Sequence, residues 1–448
     1  MTSGRPLPAA RRAPEAPERY RAITRSSVTH ISQWPALAPE IREAVLTVST
    51  VLPFRTNEYV LRELIDWSRV PDDPIFQLTF PQRGMLSEPD YARMAKLVQS
   101  GAPSEVVERE ANRIRRTLNP HPAGQLTHNV PNWRGQRLAG AQHKYRETVL
   151  FFPGQGQTCH AYCTFCFRWA QFVGLEELKF ASNEIEQLVG YLRDHREVTD
   201  VLLTGGDPMI MSARNLRRYV EPLLDPSLEH IRNIRIGTKS VAYWPQRFVS
   251  DADADDVLRL FEQVVESGRH LAVMAHYSHP VELSTPVSQN AVRRIRAAGA
   301  NVRMQSPIIR YVNDDSAVWA DLWRTGVRLG CVPYYVFVER DTGARDYFAV
   351  PLARCWSIYR SAYNRVSGLA RTVRGPSMSA TAGKVHILGI SELAAQKVFV
   401  LQYIQARNPK LVRRPFFARF DARATWFDQL EPATTRDREF FGRTPDER

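Results

Sequence analysis

The chain has 448 residues, 44% of them hydrophobic and 10% aromatic, with a formal net charge of +13. These values fit a well-cored globular enzyme with an appended segment, and no apolar run is long enough to span a bilayer. The basic excess is mostly arginine, spread along the chain beside acidic residues; with no Lys/Arg block interleaved with aromatics, a solvated basic surface is expected rather than a nucleic-acid partner.

Residues 1–17 are rich in proline and arginine, lack the apolar stretch of a secretory signal, and are expected to be disordered. Residues 18–142 read as mainly helical. Ile41–Val51, Asn57–Ser68, Pro89–Gln99 and Ser104–Leu118 carry apolar residues at helical spacing, with Ser87 and Ser104 as candidate N-caps. The prolines of 71–81 predict an extended stretch docked on the main domain, and 119–142 a long connecting loop. From residue 143 the pattern changes. Strands are expected at Thr148–Phe152, Thr199–Leu203, Asn233–Gly237, His270–Ala275, Asn301–Gln305 and Cys331–Val338. Helices are expected at Ala213–Leu224, Asp253–Ser267, Ser288–Ala298, Asp315–Leu329 and Leu352–Val366. Such alternation implies βαβ units on a parallel sheet, here a partial, open (β/α)6 barrel over 143–390. Residues 391–448 form a C-terminal extension, a candidate oligomer contact. In a parallel barrel the chemistry sits at the C-terminal ends of the strands. Polar and glycine residues gather there: Thr204-Gly-Gly-Asp207, Gly237-Thr-Lys-Ser240, His276-Tyr-Ser-His279, Gln305-Ser306 and Glu339-Arg340.

Three of the five cysteines, Cys159, Cys163 and Cys166, fall within eight residues as C-x3-C-x2-C, just after the first barrel strand. Three thiolates on a four-iron cluster leave one iron open to a ligand. A structural zinc would want a fourth ligand, and His160, adjacent to Cys159, offers poor chelate geometry. Cys331 and Cys355 stand alone and read as buried free thiols. The cysteine usage points to a reducing, cytoplasmic compartment.

This spacing resembles the radical S-adenosylmethionine (SAM) superfamily. With Pro74–Pro81, Val201–Asp207, His276–Pro280, Gln305-Ser306, Val312–Asp314 and Pro333-Tyr-Tyr335 in this order, the chain resembles the lysine 2,3-aminomutase family over roughly residues 50–390. The resemblance implies a [4Fe-4S] cluster on Cys159, Cys163 and Cys166. It implies SAM held near Gly205, Gly206, Asp207, His276 and Gln305, and pyridoxal 5′-phosphate (PLP) carried by a lysine. Of seven lysines, Lys384, after the small-residue run Ser377–Gly383, stands where the family carries its PLP lysine. Lys144 and Tyr145 match positions near the PLP phosphate, and Thr148 replaces a second family arginine there. Arg168 matches the arginine that pairs with the substrate α-carboxylate. Lysine-specific members hold the substrate ammonium with two aspartates. Here Arg340 stands at the first position, between Glu339 and Asp341, and the second falls near Ser377 with Arg374 close by. The expected substrate is an amino acid with a non-cationic side chain, glutamate being the simplest; a one-residue shift would restore an acid and lysine. An isomerase moving the α-amino group to the β-carbon is implied, as are a flavodoxin- or ferredoxin-type electron donor and a homo-oligomer. The altered glycine run and Thr148 leave open a family member with a changed reaction or without PLP.

Overall fold

The structure, a computed structural model, describes residues 19–442 apart from 176 and 178; the segment expected to be disordered, 1–17, lies outside that set. One eleven-stranded sheet dominates, its strands adjacent in chain order. They are β1 (Ala141–Tyr145), β2 (Thr148–Phe151), β3 (Asp200–Leu203), β4 (Asn233–Thr238), β5 (His270–His276), β6 (Asn301–Ile308), β7 (Val332–Val338), β8 (Arg374–Ser379), β9 (Gly383–Leu393), β10 (Gln396–Ala406) and β11 (Pro415–Arg419). Strands β2 to β8 are parallel. β1 pairs antiparallel at one edge, and β9 to β11 continue antiparallel at the other. The six expected barrel strands are present, followed by a seventh, β8. The sheet curls until β1 packs on β10, and Lys144 Nζ on β1 donates to Ala380 O at 2.5 Å. The result is a partial barrel of the TIM type.

Alternation decides which side chains enter the barrel. On β4, Ile234, Ile236 and Thr238 are buried, while Arg235 and Gly237 between them face the interior. Arg235 there pairs with Asp200 of β3 at 2.6 Å. After α1 (Pro39–Val48), α2 (Glu88–Gln99) and α3 (Ser104–Thr117) of the N-terminal region, the outer helices are α4 (Ile185–Asp194), α5 (Ala213–Val220), α6 (Ala254–Glu266), α7 (Pro286–Ala297), α8 (Ser316–Arg328) and α9 (Leu352–Asn364). Ser212, Thr285 and Asp315 cap α5, α7 and α8 through their side-chain oxygens, each cap contributing about 1 kcal/mol. No helix among the described residues is long and apolar enough to cross a membrane.

Several expectations need correction. Asn57–Ser68 is not one helix. Asn57 ends a short strand, Arg55–Asn57, paired with Ala22–Thr24; its Oδ1 accepts from Val60 N at 3.1 Å and starts a wide turn, Val60–Leu64. Ser104 begins its helix without capping it, whereas Ser87 Oγ does accept from Asp90 N. The proline-rich segment is a buried helix, Pro74–Thr79, not an extended stretch: Asp73 Oδ1 accepts from Ile75 and Phe76 N at 2.9 and 2.7 Å, and Pro74 occupies the first helical position, where its ring is preorganised. The 119–142 connection holds a small hairpin, Asn132–Trp133 with Gln136–Arg137, and enters β1. The boundary expected near 390 falls inside β9.

Candidate active site

The cysteine loop leaves the C-terminal end of β2 and is braced from both directions. Tyr162 N donates to Arg55 O at 2.8 Å, and Thr164 N to Leu78 O at 2.9 Å. His160 O accepts from Tyr20 Oη and Asn57 Nδ2 at 2.9 and 3.1 Å. The His160 ring is engaged by Ser240 Oγ at 2.8 Å and, driven neutral by burial, has its pKa lowered to about 3. Burial raises the Cys159 thiol, and that of Cys163 to about 11 and Cys166 to about 12; the neighbouring thiols add to the shifts of Cys159 and Cys166. A metal would have to displace those protons. Among the described residues no three Cys, His or acidic side chains are gathered as ligands of a single ion. A cubane sets each thiolate on a different iron, so its ligands stand farther apart than those of one zinc.

Gly205 and Gly206 have a local reason to be glycine. A Cβ on Gly206 would stand 2.5 Å from Thr158 N, and one on Gly205, with φ +140°, would meet Gln157 Nε2 at 2.2 Å. The β3 end therefore packs backbone to backbone on the approach to Cys159. Asp207 is a hub: its carboxylate accepts from Met209 N, Thr238 Oγ1, Lys239 N, and Ser240 N and Oγ, at 2.7–3.0 Å. It locks the ends of β3 and β4 together beneath the cysteine loop. Asp207→Ala leaves buried donors without an acceptor, each costing about 1–3 kcal/mol. The expected outcome is a clearly lower denaturation midpoint in urea.

His276 ends β5, its ring edge-on to Phe165 of the cysteine loop at 5.6 Å. Burial, then Lys239, holds it far below the usual histidine range. Gln305 lies beside His276 and Tyr335 in the sheet register. Lys239 and Glu282 form a buried ion pair at 2.6 Å next to these residues, a feature the sequence did not single out.

Arg168 follows the last cysteine. It is fully buried, its guanidinium 3.8 Å from the Phe152 ring centre, and its Nε meets no acceptor. Burial lowers its pKa to about 9, opposed by Cys166 and aided less strongly by the Arg340 cation. Arg340 Nε also lacks a hydrogen-bond acceptor; it lies 3.5 Å from Asp341, with Phe167 and Trp426 against its guanidinium. Lys384, the second residue of β9, is partly buried with Nζ 4.2 Å from the Tyr335 ring centre and 5.4 Å from that of Phe337. Burial, then Arg235 and Arg374, lowers its pKa to about 7. Lys144 is likewise brought down to about 7 by burial, then by Arg407, Arg340 and Lys384. Tyr145 feels Arg340 and Arg407. Arg407, just past β10, donates to Thr381 O, His128 O and Asn129 Oδ1 and closes this seam. Thr148 Oγ1 instead donates to Asp200 Oδ2 at 3.1 Å, inside the Asp200–Arg235 pair. Thus Arg168, Arg340, Lys144, Tyr145 and Lys384 share one interior, with the cysteine loop at its rim. Arg374, over Tyr334 and Tyr335, stands at the Lys384 side. Arg407 and Trp426 were missed because only long-range closure brings them here.

No protein-family profile matches the chain. A putative L-lysine 2,3-aminomutase of Aquifex aeolicus is 30% identical over 390 residues, covering 87% of this chain and 90% of that protein. The chain belongs to the L-lysine 2,3-aminomutase family. These are radical SAM enzymes, as the cysteine spacing implied. The L-lysine 2,3-aminomutase of Clostridium subterminale is 25% identical over 272 residues, 61% of this chain and 62% of that one. Among solved structures, a radical SAM methyltransferase from Sphaerobacter thermophilus aligns with a TM-score of 0.38 at 16% identity, over 62% of this chain and 91% of the other.

Proposed function

We propose that the chain is a PLP-dependent amino acid 2,3-aminomutase acting on a substrate with an anionic side chain, glutamate being the simplest. The observation that carries the side-chain reading is a pair of neighbouring arginines: Arg168, buried with an Nε that meets no acceptor, and the partly buried Arg340, whose Nε reaches Asp341 only at 3.5 Å. Two such cations suit two carboxylates, since an unpaired or loosely paired guanidinium away from water carries a desolvation cost.

The residues fit the family's cofactors. Three partly buried thiols suit a cluster with one open iron, and a partly buried amine near neutrality suits carbonyl capture. When bound, the cluster with SAM supplies hydrogen-atom abstraction, and PLP supplies the conjugated system that lets an amino group pass from the α- to the β-carbon. Cys159, Cys163 and Cys166 would hold the cluster; Lys384 would hold PLP, with Lys144 and Tyr145 toward its phosphate. Gly205, Gly206, His276 and Gln305 line the SAM side, and Asp207 positions them from behind. Arg168 binds the α-carboxylate in bidentate fashion and fixes the substrate's orientation. Arg340 takes the distal carboxylate. The buried rings of Phe152, beside Arg168, and Trp426, beside Arg340, keep water from the two pairs.

A second reading rests on Glu339, which is buried beside Arg340 and is an acid that a lysine ammonium could meet. Burial pushes its carboxyl well above the usual range, against the opposing pull of Arg340, which disfavours the charged acid that reading needs. The test is anaerobic incubation of the reconstituted protein with SAM, dithionite, PLP and a panel of amino acids. β-Glutamate from L-glutamate is expected; β-lysine from L-lysine with no product from acidic amino acids would overturn the side-chain assignment. Deoxyadenosine released without any β-amino acid would overturn the aminomutase reading.

A further inference from the structure

His121 lies in the connection between α3 (Ser104–Thr117) and β1, flanked by Pro120 and Pro122. Both of its ring nitrogens are buried and neither meets a hydrogen-bond partner. Of the charged groups around it, Arg168 is the one that acts on the ring; burial and that cation together lower its pKa and keep the imidazole neutral. The segment is fastened in place. Asn119 Nδ2 donates to Asp341 O at 2.7 Å, Thr342 Oγ1 donates to Asn119 O at 2.5 Å, and Gly343 N to Leu118 O at 2.9 Å. Trp169 Nε1, one residue past Arg168, in turn donates to Thr342 Oγ1 at 2.9 Å. The segment carrying His121 is therefore pinned to the loop after β7, which is itself bonded to the residue next to Arg168.

Both His121 nitrogens and Arg168 Nε are buried polar atoms without a hydrogen-bond partner. Buried polar groups are normally satisfied, so orphaned donors gathered at one place mark where an acceptor binds. A neutral imidazole carries one N–H donor. We propose that His121 contacts the substrate, donating an N–H to the same α-carboxylate that Arg168 binds. The proposal rests on the reading of Arg168 as the carboxylate receptor, and its partner chemistry is any α-amino acid carboxylate, whatever the side chain.

Binding without turnover tests it. Holoprotein reconstituted with cluster, SAM and PLP, but without reductant, is titrated calorimetrically with L-glutamate, L-glutamine, L-lysine and L-alanine. In the His121→Phe protein, with cluster absorbance unchanged, the amino acid that wild type binds most tightly is expected to lose about tenfold or more in affinity. L-Glutamate and L-glutamine should weaken by the same factor, because His121 stands with Arg168 rather than Arg340. His121→Asn and His121→Gln place an amide N–H near Nδ1 and Nε2 respectively, and the better of the two is expected to come within about threefold of wild type. Wild-type affinity in His121→Phe overturns the inference and leaves the glutamate reading standing. Equal weakness of the Phe, Asn and Gln proteins reduces His121 to loop packing and overturns it too. L-Lysine as the tightest ligand, still weakened by His121→Phe, overturns the side-chain reading and supports His121. Binding of none of the four overturns both.

Discussion

The Lys384→Ala protein is expected to retain its iron and its reductive cleavage of SAM, yet to form no borohydride-stable adduct with PLP and no β-amino acid. Peptide mass mapping after reduction checks this directly: the adduct in the wild type should sit on the peptide containing residue 384. The expectation follows from the environment of the amine. Lys384 packs against Tyr335 and Phe337 with two arginines nearby and, among the described residues, no carboxylate paired with it. Burial and those like charges both disfavour the ammonium, so the amine titrates near 7 rather than in the ordinary lysine range. The sign is fixed by the direction of the shift. Below pH 7 the lysine is protonated and unreactive, and the rate of PLP uptake should rise roughly tenfold per pH unit, levelling off above neutrality. Uptake that keeps rising past neutrality and levels off only above about pH 10 would show an ordinary exposed lysine and would count against Lys384 as the carrier.

The second large effect concerns Arg340. In the Arg340→Gln protein, kcat/KM for L-glutamate is expected to fall by about 30-fold to several thousandfold, the equivalent of the roughly 2–5 kcal/mol lost when one member of a buried charge pair is removed. Turnover of L-glutamine should change far less, because its side chain carries no charge to leave unpaired. Arg168→Ala should damage both substrates alike. An Arg340→Gln protein that still prefers glutamate to glutamine as strongly as the wild type does would remove Arg340 from the recognition of the side chain. On the proposed reading the two arginines divide the substrate: one addresses what every amino acid has, the other what distinguishes one from the next.

The barrel was legible because its signals are local. Buried strands such as Val201–Leu203 and Ile234–Ile236, separated by amphipathic helices, repeat with a period that few other folds produce, and six strands fell within three residues of their expected bounds. The cysteine loop was legible for the same reason: its chemistry is written in eight consecutive residues. Other elements were obscured by conflicting local cues. Prolines at 74 and 81 read as breakers, although Pro74 opens a helix that Asp73 caps. Helix α4 was overlooked beside the polar residues that precede it. On β9 the buried residues Val385 and Ile387 alternate with Lys384 and His386, a strand pattern hidden by attention to the small residues before the lysine. Arg407, Trp426 and His121 could not have been found by spacing, because each reaches the interior through contacts that span many tens to hundreds of residues.

The brace on the cysteine loop has a consequence for how the protein is made. Tyr20, Arg55, Asn57 and Leu78 all emerge from the ribosome before Cys159. Their backbone and side-chain groups are the partners that His160, Tyr162 and Thr164 need. Asn57 also donates to Tyr243 O, and Tyr20 packs on Trp244, so the brace is completed only when the third barrel strand's loop has been made. The shape of the cysteine loop is thus set jointly by segments synthesised before and after it.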